Sequence, residues 1–577
     1  MDIGVMGWWH QDNQGDFAIL ESMTRALAPH RVVPIDSGYY INEDVLQRLN
    51  LLGFLILGGG GLFQSTPSRP FDTFDLWGSQ LQTPIGVAGL GVDVVQPQYR
   101  PAVLALVDQA RFFYVRDRAS QQVVGHPKVQ VAPDLSFAYP LNGTSSHLSS
   151  RRAPVCGVNL RVTSSLKVDG WVETLQVLPV QLRGIPFTTF PATQEIQTLR
   201  QLDEACPTAF DPLLYRGLDL MVGTAFHSVV FSVQAAVPVI AIAYAPKVRR
   251  LMTDIGFEDY VLEPDEWHRL PELVERVLEE HSQLVDYLQE VTTALTKSVR
   301  QAMADVREEI ERAVNPQARA GPRVSIVVVG TASDTANQTT LTSCLNQTYE
   351  NVEVIFAGVD ARVALETASS VPEVKIIPSD PAESLSGRLN RAFAHATGEY
   401  LSWAVAGDFY ARDTIDCMVN RLQQELACDM VFTDYFTIGE RNRIADVHLV
   451  HAAHKLFRTN VVGPCFLYHR KLSETIGPFS SDTPLVAYDY WLRAHRVCHL
   501  QPMHVPLFYE QVSNRAANDR QRERRVRQQQ RSTNPWPLRF FWRIIDTDWA
   551  ENLIIRPLLT GLRKARLLLC HLRSVRP

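Results

Sequence analysis

"VGTAFHSVVFSVQAAVPVIAIAYAPK", Val222 to Lys247, holds one titratable side chain, His227, until Lys247 closes it. The stretch reads as an apolar strand, an apolar helix, a break at Pro238 and a second apolar strand. Strands that are hydrophobic on both faces and alternate with helices belong to α/β domains with a mainly parallel sheet. An imidazole where strand gives way to helix is either a satisfied core histidine or a site group, and this stretch leaves both open.

The same alternation extends outward through "FLILGGGG" (54–61), "PIGVAGLG" (84–91), "RFFYVRD" (111–117), "VCGVNLR" (155–161) and "PVIAIAY" (238–244). Two such blocks in tandem predict a two-lobed protein whose ligands bind outside the carboxyl ends of the strands. A chain of 577 residues should hold several domains. Two joints rich in Ser, Gly, Pro or Ala, "PLNGTSSHLSSRRAP" (140–154) and "RAVNPQARAGPR" (312–323), divide it into 1–150, 151–315, 323–515 and a tail, 516–577. A long helix precedes the second joint, with Leu284, Leu288, Val291, Leu295, Val299, Val306 and Ile310 on one face.

Eight scattered cysteines without a CxxC pair argue against a zinc site or a disulfide framework and fit a reducing cytosol. "MDIGVMGWW" lacks a basic n-region and reads as a first strand, not a signal peptide. The longest apolar run, Val229 to Ala245, is broken by Gln234 and Pro238 and reads as buried strand and helix, not a membrane span. Net charge is −6, yet from Arg515 onward fifteen Lys/Arg face five Asp/Glu, so an acidic body carries a basic tail. Such a tail suits an anionic partner, and its arginines and leucines at helical spacing suit either an interfacial helix or a helix packed on its own protein.

Polar residues gather where the strands of the first half end. Asn13, Gly15 and Asp16 form a turn that opens a helix, and "LGGGGLFQ" (57–64) follows another strand. Glycines there let the backbone approach a ligand, and a helix start would offer N–H groups to phosphate or carboxylate. "YVRDRAS" adds Arg116, Asp117 and Ser120, and "CGVNLR" adds Asn159 and Arg161. As an ordered set, "NQGD", "GGGGLFQ", "GLG" (89–91), "VRDRAS", "PDLSF", "GVNLR" and "GTAFHSVVFS…VPVIAIAYAPK" resemble the polysaccharide pyruvyl transferase family over most of residues 1–315.

The resemblance implies a glycosyltransferase-B-like pair of Rossmann-type lobes. It also implies transfer of a pyruvyl group from phosphoenolpyruvate to two sugar hydroxyls as a cyclic ketal, in bacterial cell-surface polysaccharide synthesis. Protonating the methylene carbon of phosphoenolpyruvate needs a general acid, and histidine titrates in the right range. His227 takes that role by resemblance. Asn13, Asp16, Gly59, Gly60, Gly61, Arg116, Arg161, Ser228 and Lys247 become candidate donor and anion contacts. Where the family has an arginine two residues before the histidine, this chain has Ala225. Losing that fixed guanidinium means either that another arginine substitutes or that donor binding is weakened.

The second half resembles family 2 glycosyltransferases, a glycosyltransferase-A fold, over roughly 323–515. "VSIVVVG" (324–330), "NQTYENVEVI" (346–355), "ATGEYL" (396–401), "GPCFLYHRKLSETIGPF" (463–479) and "YDYWLRA" (488–494) carry that resemblance. Its landmarks are missing: "WAVAGDFY" puts Val405 and Gly407 where a DxD pair belongs, leaving Asp408. Gly358 and Val359 stand in for the nucleoside-holding acidic pair, with Asp360 one step late, and Ala487 replaces the acidic base. Asp489 falls on the supporting helix of the family pattern. No divalent metal is expected, and this half reads as a retained fold that grips glycan, or as a transferase using Asp360, Asp408 or Asp489 in shifted roles.

The chain is thus expected to be a cytoplasmic transferase with a saccharide or lipid-linked glycan acceptor. Phosphoenolpyruvate would be a donor rather than a cofactor, peripheral membrane contact would run through the tail, and no nucleic acid partner is expected. Two other readings stand beside it, a family 2 glycosyltransferase using a nucleotide sugar and a non-catalytic glycan-binding scaffold.

Overall fold

The structure, a computed structural model, describes residues 1–9, 13–38, 40–63, 66–141, 153–161, 168–187, 194–208, 210–313, 321–331, 334–358, 374–380, 382–425, 427–439, 444–481, 483, 485–511 and 526. Both joints fall largely, and the basic tail entirely apart from Val526, outside these residues. The chain forms two compact units, Met1–Gln317 and Ala318–Pro577.

The first unit holds two parallel sheets. In the first, β1 (Asp2–Gly7), β2 (Arg31–Asp36), β3 (Phe54–Leu57), β5 (Ile85–Val92), β6 (Phe113–Val115) and β7 (Val129–Val131) run in the order β2-β1-β3-β5-β6-β7. A short strand, β4 (Gly60–Phe63), pairs with β5 beyond the end of β3. In the second, β8 (Val155–Asn159), β9 (Gln181–Gly184), β10 (Leu220–Gly223), β11 (Val239–Ile242) and β12 (Val261–Leu262) run β12-β11-β10-β8-β9. Strands β3, β5, β8, β10 and β11 are buried along their whole length, as their unbroken apolar sequences require. The strand order reverses between β1 and β3 in one sheet and between β8 and β10 in the other. At such reversals adjacent loops part in opposite directions and leave a crevice at the strands' carboxyl ends.

The long helix occupies His281–Ala313 and buries Leu288, Val299, Val306 and Ile310. Its Thr296 hydroxyl donates to the Phe137 carbonyl of the first lobe, and Thr292 donates to Val233 of the second. One continuous hydrophobic core therefore spans both lobes and this helix. No described helix is long and apolar enough to cross a membrane.

One local expectation is corrected. The glycine run does not open a helix. Gly58, Gly59 and Gly60 take positive φ values of 130, 100 and 84° and turn the chain straight into β4. Only glycine adopts such a run without strain, so these residues build a strand-to-strand turn.

Among the described residues the second unit forms one mixed sheet of nine strands. A parallel half is formed by β13 (Val324–Val329), β14 (Val352–Gly358), β15 (Val374–Pro378) and β16 (Tyr400–Val405). It continues through β20 (Phe466–His469), antiparallel to β16, into β18 (Met430–Ile438) and β21 (Leu500–Gln511). Two short strands complete it: β17 (Phe409–Tyr410) beside β21 and β19 (Ile444–His448) beside β18.

Its least expected feature is a buried carboxylate, Glu353 on β14. Glu353 accepts from Lys375 Nζ at 2.8 Å, Thr397 Oγ1 at 2.8 Å, Gly398 N at 3.1 Å and the Ser325 hydroxyl. Burial pushes this carboxyl up, and the Lys375, Ser325 and Thr397 donors outweigh it, bringing it down to about 2. The stabilisation is therefore present above the ordinary value of 4.5 and is lost as pH falls toward 2. Glu353→Gln, which leaves the lysine without its counter-charge, should destabilise this unit by about 2–3 kcal/mol at pH 7. Denaturant titrations at pH 7 and pH 3 check this, since the difference between the two proteins should shrink at the lower pH.

Candidate functional site

The two crevices of the first unit face one another and bring the predicted residues together. From the first lobe comes the helix Gln14–Ala26, whose N-cap is Asn13. The Asn13 side chain accepts from Gly15 N at 3.0 Å and donates through Nδ2 to Asp16 Oδ2 at 2.7 Å. This Asx geometry starts the helix and holds the Asp16 carboxylate in place. The turn at Gly60 lies against the same carboxylate, where an added Cβ would sit 2.9 Å from Asp16 Oδ1.

From the second lobe comes the helix Phe226–Gln234, buried from Phe226 to Val233. Asn159, at the end of β8, clips its start: Asn159 Oδ1 accepts from Ala225 N at 3.0 Å, and the Thr224 hydroxyl accepts from Arg161 N at 2.6 Å. His227 therefore projects from the first turn toward the other lobe. Its ring lies on the bare Cα of Gly15, where a Cβ would fall 1.7 Å from Nδ1 and 2.0 Å from Cγ.

Behind the histidine stands Asp134, a buried carboxylate that the sequence motif "PDLSF" contains but whose role the sequence did not single out. Asp134 Oδ1 accepts from Ser136 N at 3.0 Å and from the Ser136 hydroxyl at 2.6 Å. The same oxygen lies 3.7 Å from His227 Nε2, and Oδ2 lies 3.9 Å from Arg116 Nη1. Arg116 Nε is also 3.7 Å from Asp117 Oδ2, and its guanidinium covers the Phe226 ring at 4.6 Å. Lys247, in the first turn of the helix Pro246–Asp254, places Nζ 5.8 Å from the same ring.

The electrostatics follow from burial. Burial pushes the Asp16 carboxyl up to about 6, tempered by the positive charges of His227 and Lys247. Burial acts on Asp134 in the same sense, yet His227, Arg116 and Ser136 outweigh it and hold that carboxyl well below the usual range. Two carboxylates in one site are thus driven apart, one raised to about 6 and one held ionised well into the acid range.

Of the predicted contacts, Asn13, Asp16, Gly60, Arg116, His227 and Lys247 converge. Gly59 packs on the buried ring of Trp9, where a Cβ would come within 2.6 Å, and Gly61 follows on β4. Ser228 turns inward, its hydroxyl donating to the Ala225 carbonyl at 2.7 Å, and Arg161 is exposed with its backbone N–H on Thr224. Next to this cluster an open groove of about 250 Å³ runs between Gln14, Phe17 and Glu21 on one side and Tyr139, Phe210 and Phe231 on the other.

In the second unit Val405 and Gly407 occupy the DxD position and bring no carboxylate there. Asp408 Oδ1 accepts from Gln511 N at 3.0 Å, and buried Asp489 pairs with Arg493 at 3.1 Å within its own helix. Asp360 lies outside the described residues.

Comparison with known proteins accords with this division. Residues 13–173 match the family model "Polysaccharide pyruvyl transferase", and residues 338–477 match "Glycosyl transferase family 2". The chain carries a polysaccharide pyruvyl transferase domain and a family 2 glycosyl transferase domain. The pyruvyl transferase match takes in Asn13, Asp16, Gly59 to Gly61, Arg116, Asp134 and Arg161, and ends before His227 and Lys247.

Among solved structures, the chain is similar to the S. aureus protein TarS 1-349 in complex with UDP, at 15% identity, covering 37% of this chain and 67% of that one, with a TM-score of 0.29. It is also similar to the mannosyltransferase PcManGT from Pyrobaculum calidifontis in complex with GDP-Man and Mn2+, at 17% identity, covering 44% and 76%, with a TM-score of 0.31. Against a longer TarS chain, at 14% identity and a TM-score of 0.29, the match covers 37% of this chain and spans 40% of that protein's length. No curated protein gave a match.

Proposed function

We propose that the first unit transfers the pyruvyl group of phosphoenolpyruvate to two hydroxyls of a saccharide, as a step in cell-surface polysaccharide assembly. The observation that carries this reading is the meeting of His227 with Asp16, Arg116 and Lys247 across the two crevices. One proton is delivered to the methylene carbon of phosphoenolpyruvate, which becomes the methyl group. A sugar hydroxyl adds to the neighbouring carbon, and a second hydroxyl then displaces phosphate to close the ketal. Of the two hydroxyl protons released, one balances the proton given to carbon and the other leaves with phosphate.

His227 is the proton donor in this reading, while Arg116 and Lys247 face the donor's anionic groups. Ala225 stands buried where the family has an arginine, and Arg116 reaches the ring of Phe226 next to it from the other lobe. The groove beside Phe17 and Phe231 has aromatic faces and polar ends suited to a saccharide. The second unit, lacking a DxD pair, is assigned to holding the glycan, and the tail to a membrane surface where lipid-linked acceptors sit.

Calorimetric titration of phosphoenolpyruvate into the full chain tests the donor assignment. Saturable binding is expected, lost in His227→Ala and tightened in Ala225→Arg. Absence of binding in both the native protein and Ala225→Arg would overturn it and favour a glycan-binding role.

A further inference from the structure

Three buried polar atoms in the first unit converge without a hydrogen-bond partner among the described residues: His227 Nε2, Asp134 Oδ2 and Arg116 Nε. All three side chains are nearly sealed, His227 at 8% exposure, Arg116 at 3% and Asp134 at 2%. Burying an ionised carboxylate is costly unless its surroundings compensate. Asp134 is held by both donors of Ser136 and stands between a guanidinium and an imidazole. The turn Leu135–Ala138 needs only a side-chain acceptor at this position, which an uncharged residue would supply.

The orientation of the ring is informative. Nε2 points at Asp134 and is closed to solvent, so the accessible remainder of the side chain lies on the rest of the ring. Gly15 closes part of the ring surface, and Phe226 meets the ring edge-on at 5.1 Å. The other charges facing the site are Asp16, Lys247 and Asp117, of which Asp117 is spent on capping Ser120 N at 2.6 Å.

We propose that Asp134 is a positioning residue: it takes the Nε2 side of His227 and thereby makes Nδ1 the nitrogen that exchanges a proton with the reactant. A carboxylate accepts only from N–H, so it selects the tautomer that carries hydrogen on Nε2. When the ring is charged, Nε2–H stays with Asp134 and Nδ1–H is the proton available to carbon. After transfer the ring is neutral with Nδ1 bare, ready to recover a proton from a sugar hydroxyl. The assignment rests on His227 being the proton-exchanging group, and it has a readout that does not need turnover.

That readout is the tautomer of His227 in the full chain labelled with ¹⁵N-histidine, its signal identified by loss in His227→Gln. The neutral ring should carry hydrogen on Nε2 in the native protein. In Asp134→Asn the amide N–H₂ can donate to Nε2, and the ring should move toward the Nδ1–H form. Nδ1–H in the native protein, or the same tautomer in both, would overturn the proposal whether or not pyruvyl transfer is detected.

Where transfer is measured, Asp134→Asn should lower kcat by about 10²- to 10⁴-fold with little change in KM for phosphoenolpyruvate. An unchanged kcat would also overturn it. If Asp134→Asn fails to fold, Ser136→Ala keeps the carboxylate and removes its 2.6 Å hydroxyl donor. The Nε2–H tautomer with kcat lowered about 3- to 10-fold is then expected for one lost hydrogen bond, and a mixed tautomer with native kcat would refute the assignment.

Discussion

Gly15→Ala is expected to weaken phosphoenolpyruvate binding and pyruvyl transfer by about 100-fold or more while leaving the far-ultraviolet spectrum of the protein unchanged. Residue 15 is the second position of the helix Gln14–Ala26, where alanine on its own would favour the helix by about 1 kcal/mol. The packing reverses that preference. The new Cβ would land 1.7 Å from Nδ1 and 2.0 Å from Cγ of His227, well inside contact distance. Either the ring swings off Asp134, or the two lobes part at this point. Overpacking of this kind destabilises by about 1–3 kcal/mol, so the net stability change should be small beside the loss of function. Calorimetry with phosphoenolpyruvate and a thermal melt measure the two effects separately. Native affinity in Gly15→Ala would mean that the donor does not use the His227 ring as it now lies.

Asp16→Asn should give the opposite pairing, a more stable protein with an impaired site. The carboxyl titrates near 6 in the folded protein against an ordinary 3.8, so folding opposes its ionisation. Well below pH 3.8 the group is neutral in both states, and the variant gains nothing. As pH rises from 4 through 6, the unfolded chain ionises first, and the native protein loses on the order of 2–3 kcal/mol relative to Asp16→Asn. Above pH 6 the difference should be constant. Urea titrations between pH 4 and 8 test this, and a difference that is flat across the range would show that Asp16 is not held against ionisation. Asp134 behaves in the reverse sense: its contribution is present above the ordinary carboxyl value and declines only in strong acid. The two carboxylates should therefore be separable by pH alone.

Several of the residues that meet around His227 were named from the chain, for reasons that can be stated residue by residue. Asn13 and Asp16 follow a first strand in a pattern that caps a helix, and Arg116 and Lys247 each lie just beyond an apolar strand. Such positions face the crevice in a parallel sheet whatever the exact strand order. The glycine run was recognised as a close-approach turn, but its continuation into β4 was misread, because a helix start and a strand-to-strand turn ask for the same residues. Asp134 was inside a quoted motif and still unassigned, because "PDLSF" reads locally as an Asx turn and nothing in five residues shows what lies above it. Ser228 was named among the donor and anion contacts that the resemblance implies. One step along a helix rotates a side chain by about 100°, and that rotation carries its hydroxyl to the Ala225 carbonyl.

The sequence by itself determined the class of the first unit. Unbroken apolar strands alternating with helices can be buried only in parallel sheets covered on both faces, and the long period-3.6 stripe of residues 284–310 could only be a helix laid on that core. Tertiary structure alone decided which polar groups meet. Gly15, Arg116, Asp134 and His227 span more than two hundred residues and belong to two sheets. Their contacts are fixed by how the lobes close on the helix His281–Ala313, and local periodicity carries no information about the separation of side chains on different sheets. The histidine that stands at an apolar seam in the sequence becomes, in the folded protein, one of the points where the two lobes touch.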